Sequence, residues 1–136
     1  MRTDRLRTNQ LSPGAYRWYL DYLGAMDRKD IDAYGAFLAG NCTLQTNNQP
    51  PTAGKKAMLR GLAAYWRSFG SIEHDLDDIH GDDQRFALEA LNHYRRLDGG
   101  AVTLRAVAFT DRDEAGLVTS VRLYTDTGPL FAPDGG

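Results

Sequence analysis

A single cysteine, Cys42, has no partner within the 136 residues, so no disulfide framework holds this chain together. No apolar run approaches the length of a membrane span. The basic cluster Arg2, Arg5 and Arg7 also lacks the apolar stretch of an export signal. A membrane is therefore not an expected partner, and the reducing cytoplasm is the expected compartment. Neither charge sign is in excess: 16 Lys and Arg stand against 18 Asp and Glu, and a net charge of -2 creates no field to gather nucleic acid. A glycine-rich phosphate loop, a serine nucleophile elbow and a Cys/His zinc cluster are all missing, which leaves the expectation of a protein without cofactor or metal. The acidic run from Asp75 to Asp83 does not follow the pattern of a calcium loop, with its glycine and terminal glutamate at fixed positions, and reads as a solvated strand edge and turn. No internal repeat or low-complexity tract is present.

What remains is a chain of the size of one domain. Residues 1–11 read as a flexible, solvated arm, 12–131 as a single domain and 132–136 as a tail. Ser12-Pro13 supplies a capping side chain and a proline at the first helical position. The helix that follows carries Ala15, Trp18, Tyr19, Tyr22 and Met26 at helical spacing. Asp30 caps a short second helix bearing Ile31, Tyr34, Phe37 and Leu38, with Gly40-Asn41 as its stop. A strand is expected over Cys42–Thr46, a loop over Asn47-Asn48-Gln49-Pro50-Pro51, and a third helix from Gly54 to Phe69 with Met58, Leu62, Tyr65 and Trp66 on one face. The period then falls to two. Ile72, His74 and Leu76 alternate with Glu73, Asp75 and Asp77, placing His74 on an apolar strand face. Arg85–Leu97 and Ala101–Thr110 form a hairpin about Asp98-Gly99-Gly100, and Leu117–Asp126 is the last strand. Helices followed by a meander define an α+β domain with three N-terminal helices and a mostly antiparallel sheet.

Three stretches resemble the nuclear transport factor 2-like superfamily, in its SnoaL-like and ketosteroid isomerase-like branch. They are Met26-Asp27-Arg28-Lys29-Asp30-Ile31, Asn48-Gln49-Pro50-Pro51 with Gly54-Lys55, and Tyr124-Thr125-Asp126-Thr127-Gly128-Pro129-Leu130-Phe131. The resemblance implies a strongly curved sheet forming a cone-shaped half-barrel of cystatin-like topology around an interior pocket. It also implies a small apolar molecule as ligand and a homodimer through the outer sheet face. In a ketosteroid isomerase-like site, Tyr22 would match the first-helix tyrosine, but Thr46 or Gln45 stands where the base belongs and Arg105 replaces the second donor. In an epoxide hydrolase-like site Asp126 would be one carboxylate and Glu89 a substitute for the other. The alternative for Glu89 is an exposed residue pairing with a neighbouring Arg. A scytalone dehydratase-like site matches better, with His74 and His93 as acid/base groups, Asp27 orienting a histidine, and Thr103 with Arg105 as the third-strand polar pair. The resemblance thus implies cofactor-independent dehydration, cyclisation or isomerisation of an apolar, polycyclic or oxygenated compound. His74, Asp27, Tyr22 and Asp126 would be catalytic, and His93, Arg105, Tyr19, Trp66, Tyr124 and Glu89 would surround the substrate. A non-catalytic ligand-binding or assembly module using the same pocket is the alternative, and epoxide hydrolase-like activity a further one.

Overall fold

The computed structural model describes residues 1–131; the tail 132–136 lies outside the described residues. Ser12 is in extended backbone and its side chain accepts the Ala15 N–H at 3.2 Å, which starts α1 (Pro13–Asp27). Replacing Ser12 with alanine removes that acceptor. A loss of about 1 kcal/mol in the free energy of unfolding is expected, read from the midpoint and slope of a urea titration.

Lys29 takes the left-handed backbone that turns the chain. Asp30 then accepts the Ala33 N–H at 3.1 Å and opens α2 (Ile31–Gly35). This helix ends before the expected Leu38, because from that residue the backbone pairs in parallel with another strand, Leu38 beside Val118. The resulting β2 (Leu38–Thr46) absorbs Gly40 and Asn41 and is followed by a two-residue strand, β3 (Thr52–Ala53), and by α3 (Lys55–Trp66). Then come β4 (Ser71–Gly81), β5 (Arg85–Arg95), β6 (Ala101–Arg112), β7 (Val118–Thr125) and a single turn of helix, Gly128–Phe131. No helix among the described residues is long and apolar enough to cross a membrane.

The arm is the largest departure from expectation. Residues 1–11 do not float in solvent. They run parallel to β4, with a short strand at Thr8–Asn9 in register with Asp78 and Ile79, here named β1. Backbone bonds join Arg2 N to His74 O at 2.8 Å, Leu76 N to Arg2 O at 3.0 Å, and Arg7 N to Asp77 O at 2.8 Å. The physical reason is charge. Arg2 meets Glu73, Arg5 meets Asp75 and Asp77, and Arg7 meets Asp78. Asp75, Asp77 and Asp78 are consequently buried, not part of a solvated edge.

The seven strands of the described residues form one sheet in the order β1-β4-β5-β6-β7-β2-β3, antiparallel except at β1–β4 and β2–β7. Register shifts between Leu38 and Thr43, Leu76 and Asp78, and Asp111 and Arg112 bend it. The sheet stays open, and with the helices across its concave face it makes a cone-shaped half-barrel. On that face β5 presents Phe86, Leu88, Ala90, Asn92 and Tyr94, the buried half of a strict alternation. Large aromatics on the helices stand over alanines on the sheet, Ala90, Ala106 and Ala108. This mismatch in size leaves space between the layers.

Candidate active site

The space is a cavity of about 400 Å³, walled by α1, α3 and the concave sheet face. Its lining is mostly apolar, with Leu23, Leu44, Leu62, Leu88 and Val121 among the aliphatic residues, and among the described residues no Asp, Glu, Lys or Arg lines it. A ligand held there is desolvated against hydrocarbon and aromatic rings, and its polar contacts are few and specific.

The chemistry gathers where the last residue of α1 meets β4. Asp27 Oδ1 lies 2.5 Å from His74 Nδ1, and the same carboxylate accepts the His74 backbone N–H at 3.2 Å and 3.3 Å. Two attachments to one residue fix both the ring and the strand that carries it. The Met1 amine adds an ion pair to Asp27 Oδ2 at 3.1 Å. With Nδ1–H donated to a carboxylate, the tautomer is set and Nε2 carries the lone pair. His74 is a lining residue, and its Nε2 has no hydrogen bond within the described residues. The arrangement is a carboxylate-oriented imidazole facing an apolar chamber, a general base that becomes a general acid once protonated.

Two tyrosine pairs also stand on the cavity wall. The Tyr22 and Tyr34 hydroxyls are 2.8 Å apart. Burial pushes both phenols well up from their ordinary range, so they remain neutral donors. Tyr65 and Tyr94 form a looser pair at 3.4 Å, and burial raises these too. Tyr19 is held up in the same way, and Cys42 is fully buried with its thiol 3.4 Å from Met58 Sδ.

The structure thus brings His74, Tyr22, Tyr19 and Trp66 to the cavity wall, with Asp27 behind His74. The other expected site residues lie elsewhere. His93 points to the convex face, Nε2 2.8 Å from Asp75 Oδ2 and Nδ1 2.9 Å from Thr103 Oγ1. Arg105 and Glu89 are on that face as well, 3.6 Å apart, with Asp77 3.9 Å from Arg105. Tyr124 is exposed there against Phe109. Asp126 is exposed and caps the terminal turn by accepting the Gly128 N–H at 2.9 Å. Strand parity is the common reason for the first four, since successive residues face opposite sides of a sheet. The Glu89 and Asp126 pair of an epoxide hydrolase-like site is therefore not assembled. Thr46, at the base position of a ketosteroid isomerase-like site, lines the cavity without a carboxylate. Sequence reasoning missed Asn92, Tyr94 and the hydroxyl partner Tyr34. For Asn92 and Tyr94 the signal was present in the alternation Phe86, Leu88, Ala90. Among the described residues no group of three or more His, Cys, Asp or Glu could hold a metal ion.

The fold is an α+β cone around an apolar chamber, with a His–Asp pair at its wall. Residues 19–121 match the SnoaL-like domain family, and the chain belongs to it. No curated protein matches in sequence. Solved structures agree on the fold. A candidate SnoaL-like polyketide cyclase from Shewanella denitrificans OS-217 is 10% identical, superposing 85% of this chain on 92% of that one at a TM-score of 0.75. An epoxide hydrolase of the LEH-like type from M. tuberculosis is 20% identical, with 86% of each chain covered and a TM-score of 0.70. SalBIII, an epoxide hydrolase/cyclase-like enzyme of pyran ring formation in the polyether salinomycin, is 15% identical, with 83% and 91% covered and a TM-score of 0.70.

Proposed function

We propose that this protein is a cofactor-independent acid/base enzyme that dehydrates, cyclises or isomerises a neutral, apolar, polycyclic or oxygenated compound. The observation that carries the reading is the His74–Asp27 pair at the wall of an apolar chamber. His74 Nε2 takes a proton from carbon beside a carbonyl, leaving the electron pair delocalised onto the carbonyl oxygen. A neutral tyrosine hydroxyl, from the Tyr22–Tyr34 pair, stabilises that oxygen by donation. The imidazolium, balanced by Asp27, then returns the proton. Delivery to a departing hydroxyl releases water, and delivery to a second carbon gives an isomer. The cyclase and cyclase-like names among the structural neighbours support this range of outcomes.

The test is incubation in deuterium oxide with neutral polycyclic ketones and β-hydroxy ketones, followed by mass spectrometry. Incorporation of deuterium beside the carbonyl, or loss of water, above the rate without protein is expected. Saturable binding of these compounds with neither change would replace the proposal with a ligand-binding module. Thr46 in place of a carboxylate favours that second reading.

The convex face is proposed as the surface of a homodimer, supported by the adjacent exposed rings of Phe109 and Tyr124, 38% and 43% accessible. The double variant Phe109→Glu, Tyr124→Glu is expected to sediment as a monomer under conditions where the parent sediments as a dimer. A parent that sediments as a monomer at the highest soluble concentration would remove this part of the reading.

A further inference from the structure

Where α3 carries small residues it uses alanine at Ala57, Ala63 and Ala64, but at position 61 it has glycine. A glycine inside a helix weakens it, because the unfolded chain has more freedom there for folding to remove. Nothing in the fold asks for it. Gly61 has no positive φ, and a Cβ built on it meets no atom within 4 Å. Gly35 on α2 is different, since a Cβ there would stand 3.0 Å from Leu59. Gly61 comes three residues after Met58 and four before Tyr65, so it lies on the side of α3 that presents Leu62, Tyr65 and Trp66 to the cavity. It lines the cavity itself and is exposed.

We infer that Gly61 is a specificity-determining residue, the point where the ligand meets α3: a ring packs on bare helix backbone beside Tyr65, and the missing side chain sets the size of compound that the cavity admits. The inference deepens the proposed function and rests on its reading of the cavity as a ligand site. Glycine is the residue that lets a backbone come close to a ligand. Backbone amides and carbonyls inside a helix are already paired with each other, so this contact is apolar and takes ring carbon, not a polar substituent. The sheet wall is kept low in the same way, by Ala90, Ala106 and Ala108. His74 stands on the sheet and Gly61 on a helix. A ligand that offers a reacting carbon to one and a ring to the other extends from wall to wall, which selects three fused rings over two.

The experiment measures the binding of indanone, with two rings, and fluorenone, with three, by equilibrium dialysis, a readout that needs no turnover. Gly61→Ala is expected to raise the urea midpoint, because alanine is the better helix former and meets no clash. The same variant should bind fluorenone several-fold more weakly than the parent. Gly61→Leu should lose about tenfold or more for fluorenone, as befits added bulk in an apolar pocket, and stay within about threefold for indanone. Arg60→Leu adds a leucine one position away, on the side of α3 that borders α2, and should leave both affinities unchanged. Three results overturn the inference: fluorenone bound by Gly61→Leu as tightly as by the parent, an equal loss in Arg60→Leu, or a fall in the urea midpoint of Gly61→Ala. The Gly61→Ala comparison stands even if Gly61→Leu folds poorly. Failure of both ketones to bind the parent would sink the ligand-site reading together with this one. Failure of proton transfer with the size dependence intact would sink only the catalytic reading.

Discussion

Replacing His74 with alanine is expected to abolish turnover, by about 10²- to 10⁴-fold in kcat, while ligand affinity stays within a few-fold. The cavity has many apolar walls and loses only one ring, so binding survives. The imidazole is the group proposed to take the proton, so chemistry does not survive its loss. Asp27→Asn tests the same machinery from behind. An amide in place of the carboxylate can accept from Nδ1 but brings no charge to balance the imidazolium. Alternatively its N–H forces the other tautomer and occupies the lone pair on the wrong nitrogen. Either way kcat should drop at least tenfold with KM little changed. The measurement is steady-state kinetics on whichever compound shows deuterium incorporation. Full activity in His74→Ala would remove that residue from the mechanism.

Arg5→Ala should destabilise the fold by about 2 kcal/mol at neutral pH, a large effect for a side chain that is itself half exposed. The charged groups it serves are not exposed. The side chains of Asp75 and Asp77 are 3% and 5% accessible, and Arg5 reaches them at 3.4 Å and 3.1 Å. Removing one member of a buried pair costs about 3–5 kcal/mol; water partly replaces a half-exposed guanidinium, which brings the expectation down. Burial pushes the Asp75 carboxyl up, but hydrogen bonds from His93 and Arg5 outweigh it and hold the group below its ordinary value. A carboxyl whose pKa is depressed by folding stabilises the native state above its unfolded value of about 4, and that contribution is lost as the pH falls through the folded value. The deficit of Arg5→Ala is therefore greatest near pH 7 and shrinks as the pH is lowered from 4 toward 2. Urea titrations of both proteins at pH 7 and pH 3 would show it. An equal deficit at both values would mean that Arg5 acts through packing and not through charge.

Both predictions draw on residues whose legibility in the sequence was very different. His74 was visible, because Ile72, His74 and Leu76 alternate cleanly and the resemblance paired it with Asp27. His93 was misplaced by one residue. The histidine drew notice by its chemistry, but parity counted from Leu88 and Ala90 selects Asn92 and turns His93 to the outside, where Asp75 and Thr103 hold it. The same parity separates Ala106 from Arg105. Asp126 shows a different limit, since a carboxylate two residues ahead of a glycine serves a cap as readily as a catalyst. The helix α1 was legible from its cap and spacing and α3 from its spacing, β4 from its alternation, and β5 to β7 from the turns that bound them. The strands Thr8–Asn9 and Thr52–Ala53 have two residues each, too few for any period to declare itself. The Tyr22–Tyr34 pair joins two helices whose apolar stripes reveal burial but not which hydroxyls will meet.

The parallel lie of residues 1–11 along β4 has one more consequence. An eleven-residue strand at the end of a sheet offers a row of free amides and carbonyls. Such a row invites a strand from another molecule and so seeds aggregates. Here Arg2, Arg7 and Gln10 occupy positions along that row, the last through a bond from its N–H to Ile79 O at 3.0 Å. The arginines that neutralise the buried aspartates thus also hold a cover over the fold's longest potential template, and the charge that looked like a solvated arm guards the molecule against self-association through its edge.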